Sequence, residues 1–259
     1  MSTSLINLNA DLGESFGAWT MGDDAALLQV VGSANIACGF HAGDPTIMRR
    51  TVRLALAQGV SLGAHPAYPD LQGFGRRAMQ VSAEDLEALL LYQVGALQAM
   101  AHAEGGRVTH VKPHGALNNL ACADAAVAAS VVRAVQALDP SLALLAPAHS
   151  ELVRAAQAAG LPVRIEVFAD RAYQDDGQLL PRSRPGAVLH DAQACVAHVL
   201  RMLREQALVS VNGTRLPTPI DSICVHGDGP EAVATARAVR DALRAAGHTL
   251  APLDQLRSR

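Results

Sequence analysis

Aromatic residues are scarce in this chain: a single Trp, three Tyr and four Phe make up 3% of its 259 residues. That excludes a core built on rings and leaves Ala, Leu and Val to fill the interior, in a sequence that is 50% apolar. Excess charge is missing too. A formal net charge of −3 gives no reason to expect nucleic acid or an anionic membrane surface as a partner. No uncharged apolar run approaches the roughly 20 residues that a membrane-spanning helix requires. Met1 to Ser4 do not open a secretory signal, so the cytoplasm is the expected compartment. The four cysteines, Cys38, Cys122, Cys195 and Cys224, form no CxxC pair and lie in apolar or alanine-rich settings, as reduced, buried thiols do. Linkers, low-complexity tracts and short repeats are absent, and residues 1–259 read as one domain.

What is present is a repeated pattern. Stretches that read as buried strands end in polar bursts. Ile6 to Asp11 runs into Gly13-Glu14, Ala34 to Phe40 into His41-Ala42-Gly43-Asp44, and Val60 to Ala64 into His65. Val108 to Val111 runs into Lys112-Pro113-His114-Gly115, and the strand Ile220 to Val225 into His226-Gly227-Asp228. Leu142 to Leu145 and Val163 to Phe168 complete the strands. Helical patterns alternate with them: Asp23 to Val31, a helix capped by Asp44 with Pro45 at its first position, Leu86 to Ala103, Ala123 to Leu138, Ser150 to Ala159, Ala192 to Leu208 and Glu231 to Ala246. Such alternation implies right-handed crossovers and a parallel α/β barrel of seven or eight strands. Polar groups at the carboxyl ends of its strands would then surround one cavity. Two long stretches, Pro66 to Val81 and Asp170 to Ala187, leave strand ends and read as lids.

Period-two alternation puts Asn7, Asn9 and Asp11 on one side of the first strand, where they line a wet cavity, bind a ligand or bond to each other inside a barrel. His41 and His65 sit at strand ends, His65 before a proline that keeps the backbone extended. Lys112 beside His114 ends an apolar strand, where burial lowers a lysine pKa and leaves a base, or a partner for a carboxylate or phosphate. Asp170-Arg171, with Arg182 and Arg184 beyond, offers guanidinium groups to an acidic ligand or to the loop itself. His226-Gly227-Asp228-Gly229-Pro230 is similar to an anion-binding turn or to a plain glycine-rich helix start. His110, inside a strand, is ambiguous. His102, His149, His190, His198 and His248 read as surface or core residues.

Several of these strings together resemble the LamB/YcsF family, the A subunits of prokaryotic ATP-dependent 5-oxoprolinase. They are Asn9-Ala-Asp-Leu-Gly-Glu14, Ala34-Asn-Ile-Ala-Cys-Gly-Phe-His-Ala-Gly-Asp44, Gly63-Ala-His-Pro66 and Val111-Lys-Pro-His-Gly-Ala-Leu117. Val167-Phe-Ala-Asp-Arg171, Pro181-Arg-Ser183 and Val225-His-Gly-Asp-Gly229 extend the likeness over nearly the whole chain. The resemblance implies a seven-stranded, TIM-like β/α barrel of the glycoside hydrolase/deacetylase type. It also implies the opening of 5-oxoproline to L-glutamate with ATP hydrolysis, together with partner subunits B and C. By position it implies a site of Asp11, Glu14, His41, His65, Lys112, His114, Asp170, Arg171, His226 and Asp228. Where the family typically has Tyr-Asn after Gly-Ala-Leu, this chain has Asn118-Asn119.

A lactam is a resonance-stabilised amide, and phosphorylation of its carbonyl oxygen by ATP would activate it. In that scheme Asp11 or Glu14, with one of His41, His65 and His114, orients water or moves protons, while Lys112 and Arg171 hold carboxylate or phosphoryl oxygens. Two other readings stay open. One is a metal-dependent amide or ester hydrolase with Asp11, His41 and His65 on a divalent ion. The other is a non-catalytic lactam-binding or delivery subunit. ATP is the expected cofactor and a divalent metal is compatible, but the chain has no Gly-x-x-x-x-Gly-Lys phosphate loop.

Overall fold

A computed structural model describes residues 5–226 and 231–256. The elements run β1 (Leu5–Leu12), α1 (Asp24–Leu27), β2 (Ser33–Ala37), α2 (Pro45–Ala57), β3 (Ser61–His65), α3 (Ala83–Ala103), β4 (Val108–Val111), α4 (Gly115–Ala123) and α5 (Ala125–Leu138). They continue with β5 (Ala143–Pro147), α6 (Glu151–Ala158), β6 (Val163–Phe168), α7 (Ala192–Glu205), β7 (Ala207–Val209), β8 (Arg215–Pro217), β9 (Ser222–Val225), α8 (Ala232–Ala245) and β10 (Thr249–Leu250). Strands β1 to β6 pair in sequence order, β9 pairs with β6, and β9 then pairs with β1. All of these pairings are parallel, so the sheet closes into a seven-stranded barrel. β10 adds a short parallel pairing to the start of β1. Among the described residues, no single helix is long and apolar enough to cross a membrane.

Period two explains β1. Ile6, Leu8, Ala10 and Leu12 join the apolar layer under the helices, while Asn7, Asn9 and Asp11 turn into the barrel. The helices supply the rest of that layer with small and aliphatic side chains. In α5, which packs on α3, α6 and α4, Ala128, Val131, Val132, Ala134 and Val135 are buried. Each fully buried Leu or Val there contributes about 1.5–3 kcal/mol relative to an exposed one.

The structure corrects several boundaries. The expected helix from Asp23 to Val31 is only the four residues of α1, capped by Asp23. The expected strand from Ala34 to Phe40 stops at Ala37, because Gly39, at φ +95°, turns the chain and delivers His41 from a loop. Gly115–Ala123 is a helix of its own, separated from α5 by Asp124, whose carboxylate caps Ala126 and Val127. The helix expected to reach Leu208 ends at Glu205, where Gln206 takes a left-handed conformation and the β7–β8 hairpin begins. The start at Asp44 holds, its carboxylate accepting from Thr46 N and Ile47 N, whereas α3 begins three residues earlier than expected, with Ser82 accepting from Asp85 N.

Candidate active site

The barrel interior is polar, which folding tolerates only if each group is bonded. At one level Asn7 donates to Ser33 Oγ and to the Ala251 carbonyl, both at 2.8 Å, and accepts from Ser222 Oγ at 2.6 Å. Its amide is thereby committed to holding the barrel together. Beside it Asn9 donates to Glu166 Oε1 at 3.0 Å and to Ser222 Oγ at 2.8 Å. Asn35 donates to Asn9 Oδ1 at 2.7 Å and to Asp11 Oδ1 at 2.8 Å. His110 Nε2 donates to Asn35 Oδ1 at 3.0 Å, so the ambiguous histidine is an interior brace. Burial, and then the Lys112 charge, push His110 down to about 3, which keeps it neutral. Its ring fits only because residue 63 is glycine: a Cβ there would stand 2.1 Å from His110 Nε2.

At the carboxyl end of the strands, Lys112 Nζ donates to Asp11 Oδ1 at 2.8 Å and lies 3.2 Å from Glu166 Oε1 and 3.1 Å from Cys224 Sγ. The expectation that burial lowers the Lys112 pKa is overturned. Burial does act in that direction, but the Asp11 and Glu166 carboxylates and Cys224 hold it well above its ordinary value, so it remains a cation. Asp11 shows the mirror image: burial opposes its charge, yet His65 and Lys112 hold its carboxyl well below the usual range. Glu166 is raised, because burial outweighs the help of Lys112 and the Asp11 charge adds to the burial.

The histidines adjoin this group. His65 Nε2 is 3.3 Å from Asp11 Oδ2 and 2.9 Å from His114 Nδ1. His41 stacks on His114 with ring centres 3.8 Å apart, and its Nε2 is 3.3 Å from Glu14 Oε1. Burial, followed by neighbouring imidazoles, holds His41 and His114 well below the usual histidine value and therefore neutral. Gly75, at φ +64°, lets the 66–82 loop pass close over these rings; a Cβ there would be 2.8 Å from both His114 Cδ2 and His41 Cβ.

Asp11, Glu14, His41, His65, Lys112 and His114 thus form one connected cluster. Asp11, His65, Lys112 and His114 line a cavity of about 650 Å³. Both long loops contribute to its walls, with Arg76 from the first and Arg182 from the second. Asn118 and Asn119 lie on the same wall. His226 also lines it and pairs with Asp170 at 2.7 Å, so Asp170 meets an imidazole rather than the adjacent guanidinium. Arg171 donates to the carbonyls of Leu180 at 2.8 Å and Ala187 at 3.3 Å, which ties down the second loop. Asp228 lies outside the described residues.

Glu166, Asn35 and His110 had no assigned role in the sequence. The signal for Glu166 was period two: it shares a strand face with Phe168, an acid in mid-strand where only an interior partner can satisfy it.

These features define a parallel β/α barrel with an acid, lysine and histidine site at the carboxyl mouth of its strands. Its architecture is similar to that of the peptidoglycan N-acetylglucosamine deacetylase catalytic domain of Eubacterium rectale, with a TM-score of 0.54 at 11% identity, over 99% of this chain and 91% of that one. The chain belongs to the LamB/YcsF family, whose profile matches residues 6–258. A relative from Azoarcus sp., named as the A subunit of 5-oxoprolinase, is 62% identical over 97% of this chain and 98% of its own length. One from Bradyrhizobium diazoefficiens, named as a second 5-oxoprolinase A subunit of that organism, is 55% identical over 95% of this chain and 97% of its own. The crystal structure of a lactam utilization protein from Thermus thermophilus matches with a TM-score of 0.89 and 46% identity, covering 95% of this chain and 98% of that one.

Proposed function

We propose that the chain is the A subunit of an ATP-dependent 5-oxoprolinase, and that with partner subunits B and C it opens 5-oxo-L-proline to L-glutamate as ATP is hydrolysed to ADP and phosphate. The observation that carries this reading is the contact of Asp11 with both Lys112 and His65 at the wall of one cavity, in a chain so similar to proteins named for that activity.

Opening the ring requires water to attack an amide carbon whose carbonyl is a poor electrophile. ATP supplies the activation by phosphorylating the carbonyl oxygen. Asp11 is the group that orients the water and takes its proton, because its charge is fixed by Lys112 while Oδ2 stays directed at His65. The permanent charge of Lys112 offsets the negative phosphoryl oxygens carried by the activated carbonyl. Asp11 returns that proton to the leaving ring nitrogen, and a second water hydrolyses the resulting acyl phosphate to release glutamate and phosphate. Arg76 and Arg182 give the cavity positive charge for the substrate carboxylate. At about 650 Å³ the cavity is larger than the lactam alone needs, which leaves room for a phosphoryl group.

The test is glutamate release from 5-oxoproline, measured with this chain alone, with B and C, and with ATP omitted. Release that needs all three subunits and ATP is the expected result. Ring opening without ATP would replace this reading with simple amide hydrolysis. ATP-coupled release that survives replacement of Asp11, His65 and Lys112 would reduce the chain to a lactam-delivery subunit.

A further inference from the structure

Two imidazoles at this site have their tautomers fixed from behind. His65 Nδ1 lies 2.6 Å from the Lys112 carbonyl, and His114 Nε2 lies 2.8 Å from the Phe74 carbonyl. A carbonyl only accepts, so both of those nitrogens carry hydrogen. The remaining nitrogens, His65 Nε2 and His114 Nδ1, face each other at 2.9 Å. Both ring nitrogens are thus turned toward one point, where a bound cation or a shared proton can sit.

The surroundings supply further donors for such a charge. Glu14 Oε1 is 3.7 Å from His114 Nδ1 and 3.3 Å from His41 Nε2, and one ligand atom from each of Glu14, His41, His65 and His114 lies within 4.8 Å of every other. All four residues are buried. An ion with bonds of about 2.1 Å holds adjacent ligand atoms about 3.0–3.4 Å apart, and the spacings of 2.9, 3.3 and 3.7 Å bracket that range. The carbonyl bonds behind His65 and His114 are the outer partners that metal-bound histidines ordinarily have. We propose that Glu14, His41, His65 and His114 bind one first-row divalent transition-metal ion at the edge of the cavity. Three imidazoles and one carboxylate select zinc, cobalt or nickel over magnesium or calcium. This ligand set differs from the one the sequence suggested, because Asp11 is held by Lys112 and Asn35 while Glu14 and His114 complete the group. The readout is ion binding rather than turnover, so this site is tested separately from the ring-opening reaction.

The experiment uses the full chain without a histidine tag, stripped with a chelator and titrated with Co²⁺ while its visible absorption is followed. One equivalent per chain is expected to saturate the signal. His41→Ala, His114→Ala and Glu14→Gln, each checked for folding by circular dichroism, should weaken binding about a hundredfold or more, since even the loss of an outer partner costs 10–100-fold. His102→Ala, remote on α3, should leave it unchanged. Zn²⁺ added to ¹⁵N-histidine-labelled wild-type protein should shift the ring signals of His41, His65 and His114, a measurement that needs no variant. The absence of stoichiometric binding, shifts confined to other histidines, or a proton shared between His65 and His114 that the ion fails to displace at neutral pH would overturn the proposal.

Discussion

Glu166 Oε1 lies 3.2 Å from Lys112 Nζ, so the buried lysine answers two carboxylates and not only the one at the cavity wall. Removing the cation strands both acids, whereas neutralising Glu166 leaves the Asp11–Lys112 pair intact. Lys112→Met should therefore lose about 3–5 kcal/mol of stability. Glu166→Gln, whose amide oxygen can still accept from Asn9 and Lys112, should lose only about 1 kcal/mol. Urea unfolding of the two variants measures the contrast, and equal losses would show that Glu166 carries the network.

Asp11→Asn preserves the hydrogen bonds from Asn35 and Lys112 but removes the charge and the proton acceptor. In the three-subunit assay, turnover should fall about a hundredfold or more. The melting temperature should shift little, because Lys112 keeps Glu166 as its counter-ion. Turnover within threefold of wild type would remove Asp11 from the mechanism.

Gly63→Ala tests the packing of the interior brace. The added methyl would collide with His110, which would have to leave Asn35 or displace β3. Overpacking of this kind costs about 1–3 kcal/mol, and here it also breaks a buried hydrogen bond. A drop of several degrees in thermal unfolding is expected, with loss of activity following from the displaced Asn35 and Asp11.

Acid should expose the contribution of Asp170. Burial disfavours its charge, but the His226 imidazole and its hydrogen bonds outweigh that and hold its carboxyl below the ordinary value. A depressed carboxyl stabilises the fold above the unfolded-state value, near pH 4, and this stabilisation disappears as the pH falls through the folded-state value. Wild type should thus exceed Asp170→Asn by about 1.5–3 kcal/mol at pH 7. Denaturant curves should show the gap closing toward pH 3; a gap independent of pH would mean that the pair contributes through packing alone.

Arg171→Ala should loosen the second lid. Without the bonds to the Leu180 and Ala187 carbonyls, the population of open loop should rise at least about tenfold. Tryptic cleavage after Arg182 would accelerate correspondingly, and an unchanged rate would show that other contacts hold the segment.

The barrel was legible because its strands are short apolar runs punctuated by polar residues, and Asp11, His65 and Lys112 stood out as polar groups at their ends. Less visible was whatever depended on which strand lies opposite which. Glu166 and Asn35 look ordinary along the chain, and their roles appear only when closure sets them against Lys112 and Asp11. Gly115–Ala123 was missed because it contains Gly115, Asn118 and Asn119, residues with weak helical preference that tertiary packing overrides. The charge state of Lys112 also escaped, since burial alone predicts its neutralisation and only the paired carboxylates reverse the sign.

Closure of the sheet joins the beginning of the polypeptide to its end: β1 needs β9 beside it, and Asn7 needs the carbonyl of Ala251, 244 positions later. During synthesis the first strand must therefore wait, partnered on one edge only, until almost the entire chain has left the ribosome. Contacts of such long range make for slow folding with an exposed strand edge in the interim, and truncation before β9 should yield an aggregating fragment rather than a smaller enzyme.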